Sequence, residues 1–484
     1  MRVCARISAV ALISYAQRLA DHAAADPSHP ALTFDDHTLT RAQLESVANR
    51  TARALLEEGA APGDLVTIAL PNGVAFVATT IACWKIGAVP QPVSAWLPAR
   101  ELDAIIEIGR PSVVVREPLD ADGSDDAPLP DAVSDPWKAM TSGGSTGRPK
   151  LILAGVPSEI DADADPILML KRDGTHLMPG PLYHNGPFVW SATALLAGNH
   201  LVLGGKFDAQ RTLELIDRYR PDSMYVVPTM MARMSKLPLA VKDRYDVSSL
   251  KVIWHLAAPC PAWLKEDWIN WFGADAIWEL YGGTEAQAAT IITGREWLLH
   301  RGSVGKVNPD NFSIRRADGS VADVDEVGEV FMRASADGSV TTYRYIGASA
   351  RRIEDNWESL GDMGCLDADG YLYLADRQTD MILSGGANIY PAEIEASLDE
   401  HPHVRSCAVI GLPDEDLGNR VHAIIQTDDG SDIPLDDLRA HLADRLVRYK
   451  IPRTFEFTTE PLRDDAGKLR RSALRAERIA PAGG

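Results

Sequence analysis

A run of hydroxyl-bearing, glycine and basic residues from Met140 to Lys150 has the composition of a loop that wraps a polyphosphate. Its hydroxyls are hydrogen-bond donors, its glycines let the backbone approach a ligand closely, and Lys150 is a mobile point charge. The hydroxyl donors are Ser142, Ser145 and Thr146, and the glycines are Gly143, Gly144 and Gly147. We therefore expect a nucleotide as the ligand of this loop.

A Walker-type phosphate loop and a flexible surface turn are two other interpretations of this loop. A Walker-type phosphate loop needs Gly-Lys-Ser/Thr at the start of a helix, whereas here Arg148-Pro149 precedes Lys150 and the strand-like run Leu151-Ile152-Leu153 follows. A mononucleotide kinase or GTPase is therefore disfavoured. A flexible surface turn stays open on the loop residues alone, because Ser, Thr and Gly are common in turns.

Size and charge limit the class of protein. The chain has 484 residues, of which 45% are hydrophobic, so two or more domains with extensive cores are expected. The net charge of −20 disfavours a non-specific polyanion binder, and we expect no nucleic-acid partner. Binding of a nucleotide would therefore need cations gathered locally around Lys150, Arg377 and Lys468.

The cysteines and the hydropathy pattern predict a cytoplasmic protein. The five cysteines lie far apart without a Cys-x-x-Cys pair, which indicates neither a disulfide framework nor a structural zinc site. They are Cys4, Cys83, Cys260, Cys365 and Cys407. No apolar run approaches the ~20 residues that a membrane span requires, so no span is expected.

Short apolar runs alternate with helical patterns along most of the chain, which predicts an α/β organisation with largely parallel sheets. The strand-like runs are Leu65 to Leu70, Ser112 to Val115, His200 to Leu203, Met224 to Val227 and Val252 to Leu256. Helix-compatible spacing occurs at 76–86 and 208–219. From near Asp380 onward, strand-like runs such as Val404 to Ile410 and Val421 to Gln426 alternate with helical patterns at 391–400 and 434–447, which predicts a compact C-terminal domain.

Four later segments follow the first loop in the order and with the residues of one family. They are Tyr281-Gly282-Gly283-Thr284-Glu285, Gly361-Asp362, Ala375-Asp376-Arg377 and Gly467-Lys468. With the first loop, they resemble the adenylate-forming superfamily of acyl-CoA synthetases, carrier-protein adenylation domains and luciferases, over nearly the whole chain. The resemblance implies an α/β fold: a large N-terminal domain with parallel-rich sheets and a distorted barrel, and a small mobile α+β C-terminal domain.

The same resemblance implies the domain boundaries. The AMP- and acyl-binding domain would span residues 1–376, a hinge residues 377–379, and the mobile domain residues 380–484. The pivot position falls on Thr379, where relatives often carry Asp or Lys. Rotation needs backbone freedom and no charged side chain, so the hinge is still expected.

The reaction implied by the resemblance uses ATP, Mg²⁺ and CoA and has two steps. A carboxylate attacks the α-phosphorus to give an acyl-adenylate and pyrophosphate, and a thiol then displaces AMP. Because carboxylate and triphosphate repel each other, the site needs a metal and cations at the developing charge. Glu285 is the implied magnesium ligand, Thr284 a phosphate donor, and Lys468 the lysine that bridges carboxylate and α-phosphate.

The remaining nucleotide contacts are also implied by position in the family. Asp362 would accept hydrogen bonds from the ribose hydroxyls, Arg377 would hold ribose or phosphate, and Tyr281 would stack on adenine. Taken alone, each has an ordinary structural interpretation: a turn aspartate, a surface ion pair and a half-buried aromatic. The full implied nucleotide set is Thr141, Ser142, Gly143, Gly144, Ser145, Thr146, Gly147, Lys150, Ala258, Pro259, Glu279, Tyr281, Gly282, Gly283, Thr284, Asp362 and Arg377.

Acyl and thiol sites are implied in the same way. Small residues beside aromatics predict room for a bulky hydrophobic acid, and the chain resembles actinobacterial ligases for bile-acid-like or diterpenoid carboxylates. The implied acyl-binding residues are Tyr183, His184, Asn185, Trp190, Trp254, Ala257 and Gly283. Ser384-Gly385-Gly386 would line the pantetheine tunnel, although a tight turn before a helix at Pro391 explains the same glycines.

The predicted function is thus an ATP-dependent acyl-CoA ligase whose partners are a carboxylic acid, ATP and CoA; an oligomer is compatible with the sequence. An enzyme of one half-reaction and an adenylation enzyme that loads a carrier protein stay open. A luciferase-like oxygenase is disfavoured because no residue marks an oxygen site. A non-enzymatic binding module is disfavoured because Lys468, Glu285 and the first loop are all present.

Overall fold

The computed structural model describes residues 11–121, 123–143, 149–377, 380–384, 387–427, 432–464 and 467–479. The α-helices of these residues are α1 (Tyr15–Ala25), α2 (Arg41–Glu57), α3 (Val74–Lys85), α4 (Ala99–Gly109), α5 (Asn185–Leu196), α6 (Ala209–Tyr219), α7 (Pro228–Ser235), α8 (Leu239–Lys242), α9 (Ala262–Phe272), α10 (Gly294–Trp297), α11 (Pro391–Asp399), α12 (Leu435–Ala443) and α13 (Arg471–Ile479). Short 3₁₀ turns occur at Glu354–Asn356 and Arg448–Lys450.

The strands, also in chain order, outnumber the helices. The first group is β1 (Leu12–Ser14), β2 (Pro30–Phe34), β3 (His37–Thr40), β4 (Leu65–Ile68), β5 (Val89–Pro92), β6 (Val113–Val115), β7 (Ala139–Gly143), β8 (Pro149–Ala154), β9 (Glu159–Asp161), β10 (Thr175–Met178), β11 (His200–Leu203), β12 (Ser223–Val226), β13 (Val252–His255) and β14 (Ile277–Gly282). The second group is β15 (Ala289–Thr293), β16 (Ser303–Lys306), β17 (Phe312–Arg315), β18 (Gly328–Met332), β19 (Tyr343–Ile346), β20 (Arg351–Arg352), β21 (Glu358–Leu366), β22 (Tyr371–Arg377), β23 (Ile382–Ser384), β24 (Ala387–Ile389), β25 (Ser406–Asp414), β26 (Gly418–Gln426) and β27 (Thr454–Thr458).

An eight-stranded sheet forms the centre of the N-terminal region, in the order β15-β14-β13-β12-β10-β11-β2-β3. The six inner strands are all parallel, and the two edge strands pair antiparallel. β11 and β12 are buried at every position, because helices cover both faces of the sheet. The parallel direction brings the carboxyl ends of these strands to one edge, where α/β sheets usually bind ligands.

Two smaller sheets lie beside the central one. β5-β4-β6 is parallel, and β19-β8-β7 is antiparallel and carries the two ends of the Gly/Ser/Thr loop. A further antiparallel sheet has the order β16-β22-β21-β18-β17, with β20 paired to β21. Asp362 lies in β21, and Arg377 is the last residue of β22.

Residues from Ile382 onward have hydrophobic cores of their own. β25-β26-β27 packs against α11 and α12 on one face and against Leu462 on the other. The hairpin β23-β24 precedes α11, whose first helical residue is Pro391, a position where the missing N–H is harmless. The boundary at residues 377–379 stays a prediction, and Thr379 lies outside the described residues.

The predicted α/β elements are confirmed, with shifts of one to a few residues at their ends. β11 has the predicted bounds, whereas β25 begins at Ser406 and extends beyond the predicted Ile410 to Asp414. α12 is shorter than the predicted 434–447 because Asp444 ends it. No helix in the part of the chain that the structure describes is long and apolar enough to cross a membrane.

Candidate active site

The carboxyl edge of the central sheet collects several of the residues predicted to bind nucleotide or acid. Tyr183-His184 follows β10, Ala257-Ala258-Pro259 follows β13, and Gly283-Thr284-Glu285 follows β14. Thr229 of α7 lies just beyond β12. Neighbouring parallel strands therefore bring together segments that are distant in sequence.

Antiparallel pairing of β7 with β8 holds the two ends of the Gly/Ser/Thr loop side by side. Thr141 faces Leu151, and Ser142 faces Lys150. The Thr141 hydroxyl accepts a hydrogen bond of 3.5 Å from Gln91 Nε2. Gly143 ends β7, and residues 144–148, with the predicted contacts Gly144, Ser145, Thr146 and Gly147, lie outside the described residues. Their contacts stay predictions.

Lys150, Glu285 and Tyr345 form a closed triangle of polar contacts. Lys150 Nζ donates to Glu285 Oε1 at 3.2 Å and to the Tyr345 hydroxyl at 2.9 Å, and that hydroxyl donates to Glu285 Oε1 at 2.5 Å. The ammonium also lies 4.0 Å from the centroid of the Tyr345 ring. Burial, with the adjacent Glu285 carboxylate, raises the pKa of Tyr345. The phenol therefore stays protonated and serves as a donor.

A second polar cluster lies beside this triangle. The Tyr343 hydroxyl donates to Glu358 Oε2 at 2.7 Å, and Gln287 Nε2 donates to the same oxygen at 2.9 Å. Arg352 pairs with the other oxygen of Glu358. The rings of Tyr343 and Tyr345 meet edge to face with centroids 4.7 Å apart. This cluster fixes β19 and so fixes the Tyr345 hydroxyl over Lys150.

Tyr281 and Asp362 are in direct contact. The Tyr281 hydroxyl donates to Asp362 Oδ2 at 2.8 Å. Asp362 in β21 faces Arg377 in β22 across the antiparallel pair, which places the predicted ribose and phosphate contacts side by side on the backbone. The three residues approach one another only through the sheet, since almost a hundred positions separate Tyr281 from Arg377.

Glu279 lies inside the protein rather than at the surface of the site. Its carboxylate pairs with the fully buried Lys265, and His255 Nε2 lies 3.9 Å from Glu279 Oε2. Burial raises the pKa of Glu279, and burial together with the charge of Lys265 lowers that of His255. A nucleotide contact of Glu279 stays a prediction, and in this structure its side chain supports β14 from within.

Aromatic side chains dominate the predicted acyl region. Trp190 of α5 meets Tyr225 edge to face at 5.2 Å and Trp254 at 5.7 Å between ring centroids, and all three are buried. Trp254 Nε1 donates to Leu168 O at 2.8 Å, which fixes the ring. A Cβ on Gly186 would lie 2.2 Å from the Tyr225 hydroxyl, so this turn of α5 needs glycine. These three rings fill the space between them, so the predicted room for an acid stays a prediction.

His184 and Asn185 begin α5. Burial, with the charge of Lys468, lowers the pKa of His184 to about 3, so its imidazole is neutral at physiological pH. The rings of Tyr183 and His184 lie 4.3 Å apart. Asn185 Oδ1 accepts a 2.6 Å hydrogen bond from Nζ of Lys138, a buried lysine whose pKa burial lowers to about 8.

The C-terminal region presents Lys468 to this edge. Gly467 has a φ of +75°, and a Cβ there would lie 2.5 Å from Thr229 Oγ1. Lys468 itself is exposed, and its backbone N–H donates to Asp464 Oδ1 at 2.9 Å. A second contact joins the N-terminal and C-terminal regions, because Lys236 Nζ donates to Val404 O at 2.6 Å. Lys468 lies close enough to His184 for its charge to act on the imidazole. On the other side of the region, Ser384 ends β23, and Gly385 and Gly386 lie outside the described residues.

The donor set at Glu285 suits magnesium. No group of three or more His, Cys, Asp or Glu side chains arranged for a metal occurs within the described ranges. A single carboxylate is what Mg²⁺ commonly uses when substrate phosphates supply the other ligands. Glu285 is nearly buried and bonded through Oε1. Zinc would instead need a set of nitrogen and sulfur ligands, which these residues do not offer.

Sequence reasoning missed Tyr345, Lys138 and Thr229. Lys138 had a visible signal, because a charged residue interrupts the apolar run Trp137 to Met140 before the loop. Tyr345 had only the alternation of Tyr343 and Tyr345, which places both on one face of a strand. Thr229 had none, because its importance comes from the packing of Gly467.

The fold and the site define an enzyme that adenylates a carboxylic acid, and comparisons with known proteins agree. Residues 19–341 match the AMP-binding enzyme family, and residues 393–468 match the AMP-binding enzyme C-terminal domain. The chain belongs to this family. The predicted class of AMP-forming acyl-CoA ligase is confirmed by curated relatives that are named as a CoA synthase and a CoA ligase.

Two relatives and one solved structure illustrate the similarity. Feruloyl-CoA synthase of an Amycolatopsis species is 32% identical over 481 residues, with 93% of this chain and 96% of that protein covered. Indoleacetate–CoA ligase of Aromatoleum aromaticum is 30% identical over 494 residues, with 94% and 96% covered. The o-succinylbenzoate CoA synthetase of Bacillus subtilis, solved with its acyl-adenylate, has a TM-score of 0.79 at 24% identity, with 96% and 98% covered, and supports the fold.

Proposed function

We propose that this enzyme joins a bulky, largely apolar carboxylic acid to CoA in two steps, with ATP as co-substrate. The acid oxygen forms a bond to the α-phosphorus and the bond to pyrophosphate breaks. The CoA sulfur then bonds to the acyl carbon, the bond to AMP breaks, and the thiol proton leaves. The observation that carries this proposal is the meeting of Lys150, Glu285, the Tyr281–Asp362 pair and Lys468 at one edge of the central sheet.

Cations and neutral donors would control the charge of the first step. Lys150 and the hydroxyls near it would bind the phosphates, Lys468 would approach the carboxylate and the α-phosphate, and Thr284 would donate to a phosphate oxygen. Mg²⁺ held by Glu285 would offset the negative charge of the triphosphate. His184 is neutral and buried, so it would border the acyl group without adding charge.

We infer the nature of the acid from the predicted walls beside α5. By their predicted positions, Trp190 and Trp254, both buried in this structure, and the small residues Ala257 and Gly283 would form these walls. Aromatic side chains bury large apolar area at low conformational entropy cost. These walls support an aromatic or polycyclic acid over a short one such as acetate. The relatives named for feruloyl and indoleacetate substrates are in line with this choice.

The second step would use the other side of the C-terminal domain. We propose that rotation about residues 377–379, with Thr379 as pivot, withdraws Lys468 and brings Ser384-Gly385-Gly386 to the site as the pantetheine tunnel. The contact of Gly467 with Thr229 corresponds to the adenylation pose, because it holds Lys468 near His184. Enzymes of one half-reaction and carrier-protein loading are the alternatives that the experiment must separate.

The test is an incubation with MgATP, CoA and a panel of acids that includes aromatic, polycyclic and short-chain members. Mass spectrometry would follow acyl-adenylate, AMP and acyl-CoA. We expect acyl-CoA and AMP in equal amounts with a bulky acid and little product with acetate. Adenylate without thioester would favour a carrier-protein acceptor, thioester from a supplied adenylate alone would favour a thiolation enzyme, and preference for acetate would contradict the proposed acid.

A further inference from the structure

Tyr345 joins two residues of opposite charge that the reaction must separate. Its hydroxyl accepts from Lys150 Nζ and donates to Glu285 Oε1, the same oxygen to which Lys150 donates. The three groups come from β8, from the segment after β14 and from β19. They meet because β19 pairs with β8, with Tyr345 opposite Ile152.

Binding of a metal-bound polyphosphate would change the partners of both charges. Lys150 would move to phosphate oxygens, and Glu285 would turn a lone pair to the metal. The nearly buried Glu285 carboxylate, without Lys150, would be destabilised unless another hydrogen-bond donor remained bonded to it. Tyr345 is the neutral donor already in place, and it can stay on Glu285 while Lys150 leaves.

The Tyr345 ring is held so that its hydroxyl keeps this position. Strand pairing of β19 with β8 fixes its backbone, and the Tyr343 ring packs edge to face against it. Tyr343 in turn is bonded to Glu358, which Gln287 and Arg352 also bind. The hydroxyl is thus anchored independently of Lys150.

We propose that Tyr345 is a positioning residue for the metal-bound polyphosphate of a nucleoside triphosphate, and that it acts by holding Glu285 in place for the metal. This inference rests on the proposed function, since it assigns a task within that nucleotide site. It assigns Tyr345 no contact with the adenosine. Its effect is therefore confined to ligands that carry a metal-bound β,γ-diphosphate.

Calorimetric titration of Tyr345→Phe tests the assignment. MgATP affinity should fall about tenfold or more, as expected for loss of a hydrogen bond to a charged group. AMP affinity should stay within about twofold of wild type, because AMP has no β- and γ-phosphates. Tyr371→Phe is the matched control, since it removes a hydroxyl that donates to a different carboxylate, that of Glu296 in α10, which is not among the predicted nucleotide contacts, and it should leave both affinities unchanged.

A double-mutant cycle with Glu285→Gln tests the route of the effect. If Tyr345 acts through Glu285, Tyr345→Phe should weaken MgATP binding by less than about twofold once Glu285 is Gln. Unchanged MgATP binding in Tyr345→Phe, an equal loss for AMP, or fully additive losses in the cycle would each overturn the inference while leaving the proposed function intact. A wild-type protein that binds neither nucleotide would overturn the proposed function, and this inference with it.

Discussion

Lys138 shows how one residue can weaken a fold near its active site. It is nearly buried, and its ammonium donates to the neutral Asn185 Oδ1, while Glu285 is the carboxylate whose charge acts on it. A buried cation without a contacting anion costs free energy, and such costs are common beside active sites. Removing the charge should therefore stabilise the protein.

We predict that Lys138→Met raises the free energy of unfolding at pH 7 by about 2 kcal/mol. The lowered pKa corresponds to a cost of about 3 kcal/mol for the buried charge, which Met avoids, and loss of the hydrogen bond to Asn185 offsets about 1 kcal/mol of this gain. The pKa of Lys138 is about 8 in the folded protein and near 10.4 when unfolded. The unfolded chain binds more protons between these values, so wild-type stability rises with pH there and the advantage of Met shrinks.

Scanning calorimetry of wild type and variant at pH 7, 9 and 10 measures this prediction. Lys138→Arg is the control, because Arg cannot lose its proton and should stay destabilised at pH 10. A lower unfolding temperature for Lys138→Met at pH 7, or a difference that does not change with pH, would contradict the account of Lys138 as a costly buried charge.

Lys468 offers a second prediction at the scale of one residue. Lys468→Ala should slow acyl-adenylate formation by about 10²-fold or more, since it removes a cation from the transition state. CoA transfer to a synthetic acyl-adenylate should change little. The two half-reactions are measured separately by pyrophosphate exchange and by thioester formation. Lys450→Ala, which removes an ammonium bonded to Glu393, is the control; equal losses in both steps for Lys468→Ala would remove its assignment to adenylation.

At the scale of elements, β14 depends on a buried ion pair. Glu279 pairs with Lys265 of α9 two residues before Tyr281, and residues two apart share a strand face. The pair ties the strand that carries Tyr281 to a helix behind it. Removing one partner of a buried ion pair lowers protein stability strongly, because the other charge is left buried without a partner. Replacing both partners by apolar residues of similar volume costs little stability.

We therefore predict that Lys265→Met lowers the free energy of unfolding by about 3–5 kcal/mol, because it leaves the Glu279 charge buried without a partner. Lys265→Met combined with Glu279→Leu should recover most of that loss. Chemical denaturation measures both. Weak AMP binding by the double variant would support the nucleotide contact of Glu279 that the sequence predicts. A loss of less than about 1 kcal/mol of unfolding free energy in Lys265→Met alone would contradict the role of the pair in supporting β14.

At the scale of the whole molecule, the proposed function requires that the position of the C-terminal domain decides which step can occur. The Cβ built on Gly467 lies 3.3 Å from Thr229 Cβ, close to the separation that a disulfide requires. Exposed contacts such as Arg470–Glu101 contribute little to this arrangement. A covalent bond between the two regions would therefore hold a pose that weak contacts otherwise allow to change.

We predict that Thr229→Cys with Gly467→Cys, once oxidised, still forms acyl-adenylate but makes no acyl-CoA until a reductant is added. The strain of a non-glycine residue at the positive φ of position 467 should cost about 1–2 kcal/mol, which the domain can tolerate. Mass spectrometry of products before and after reduction provides the measurement, with each single variant as control. Thioester formation by the oxidised double variant would show that domain rotation is not required.

The sequence by itself determined the class of protein and most of its elements. The parallel strands were visible because buried strands are continuous apolar runs, and the five ordered motifs resembled one family because phosphate binding and ribose binding restrict residue types locally. Asp362 and Lys468 could be named, since each lies in a short motif with a fixed neighbour, although what they do was implied by the resemblance alone.

Tertiary structure alone decided which of these residues meet. The Lys150–Glu285–Tyr345 triangle needs three segments that are more than fifty residues apart, and Lys138 acquires its lowered pKa only by burial against Asn185. The Glu279 side chain lies inward because Lys265 is behind it, which no local pattern indicates. Contacts of this kind depend on strand order and domain packing, so the sequence specifies them only through the complete fold.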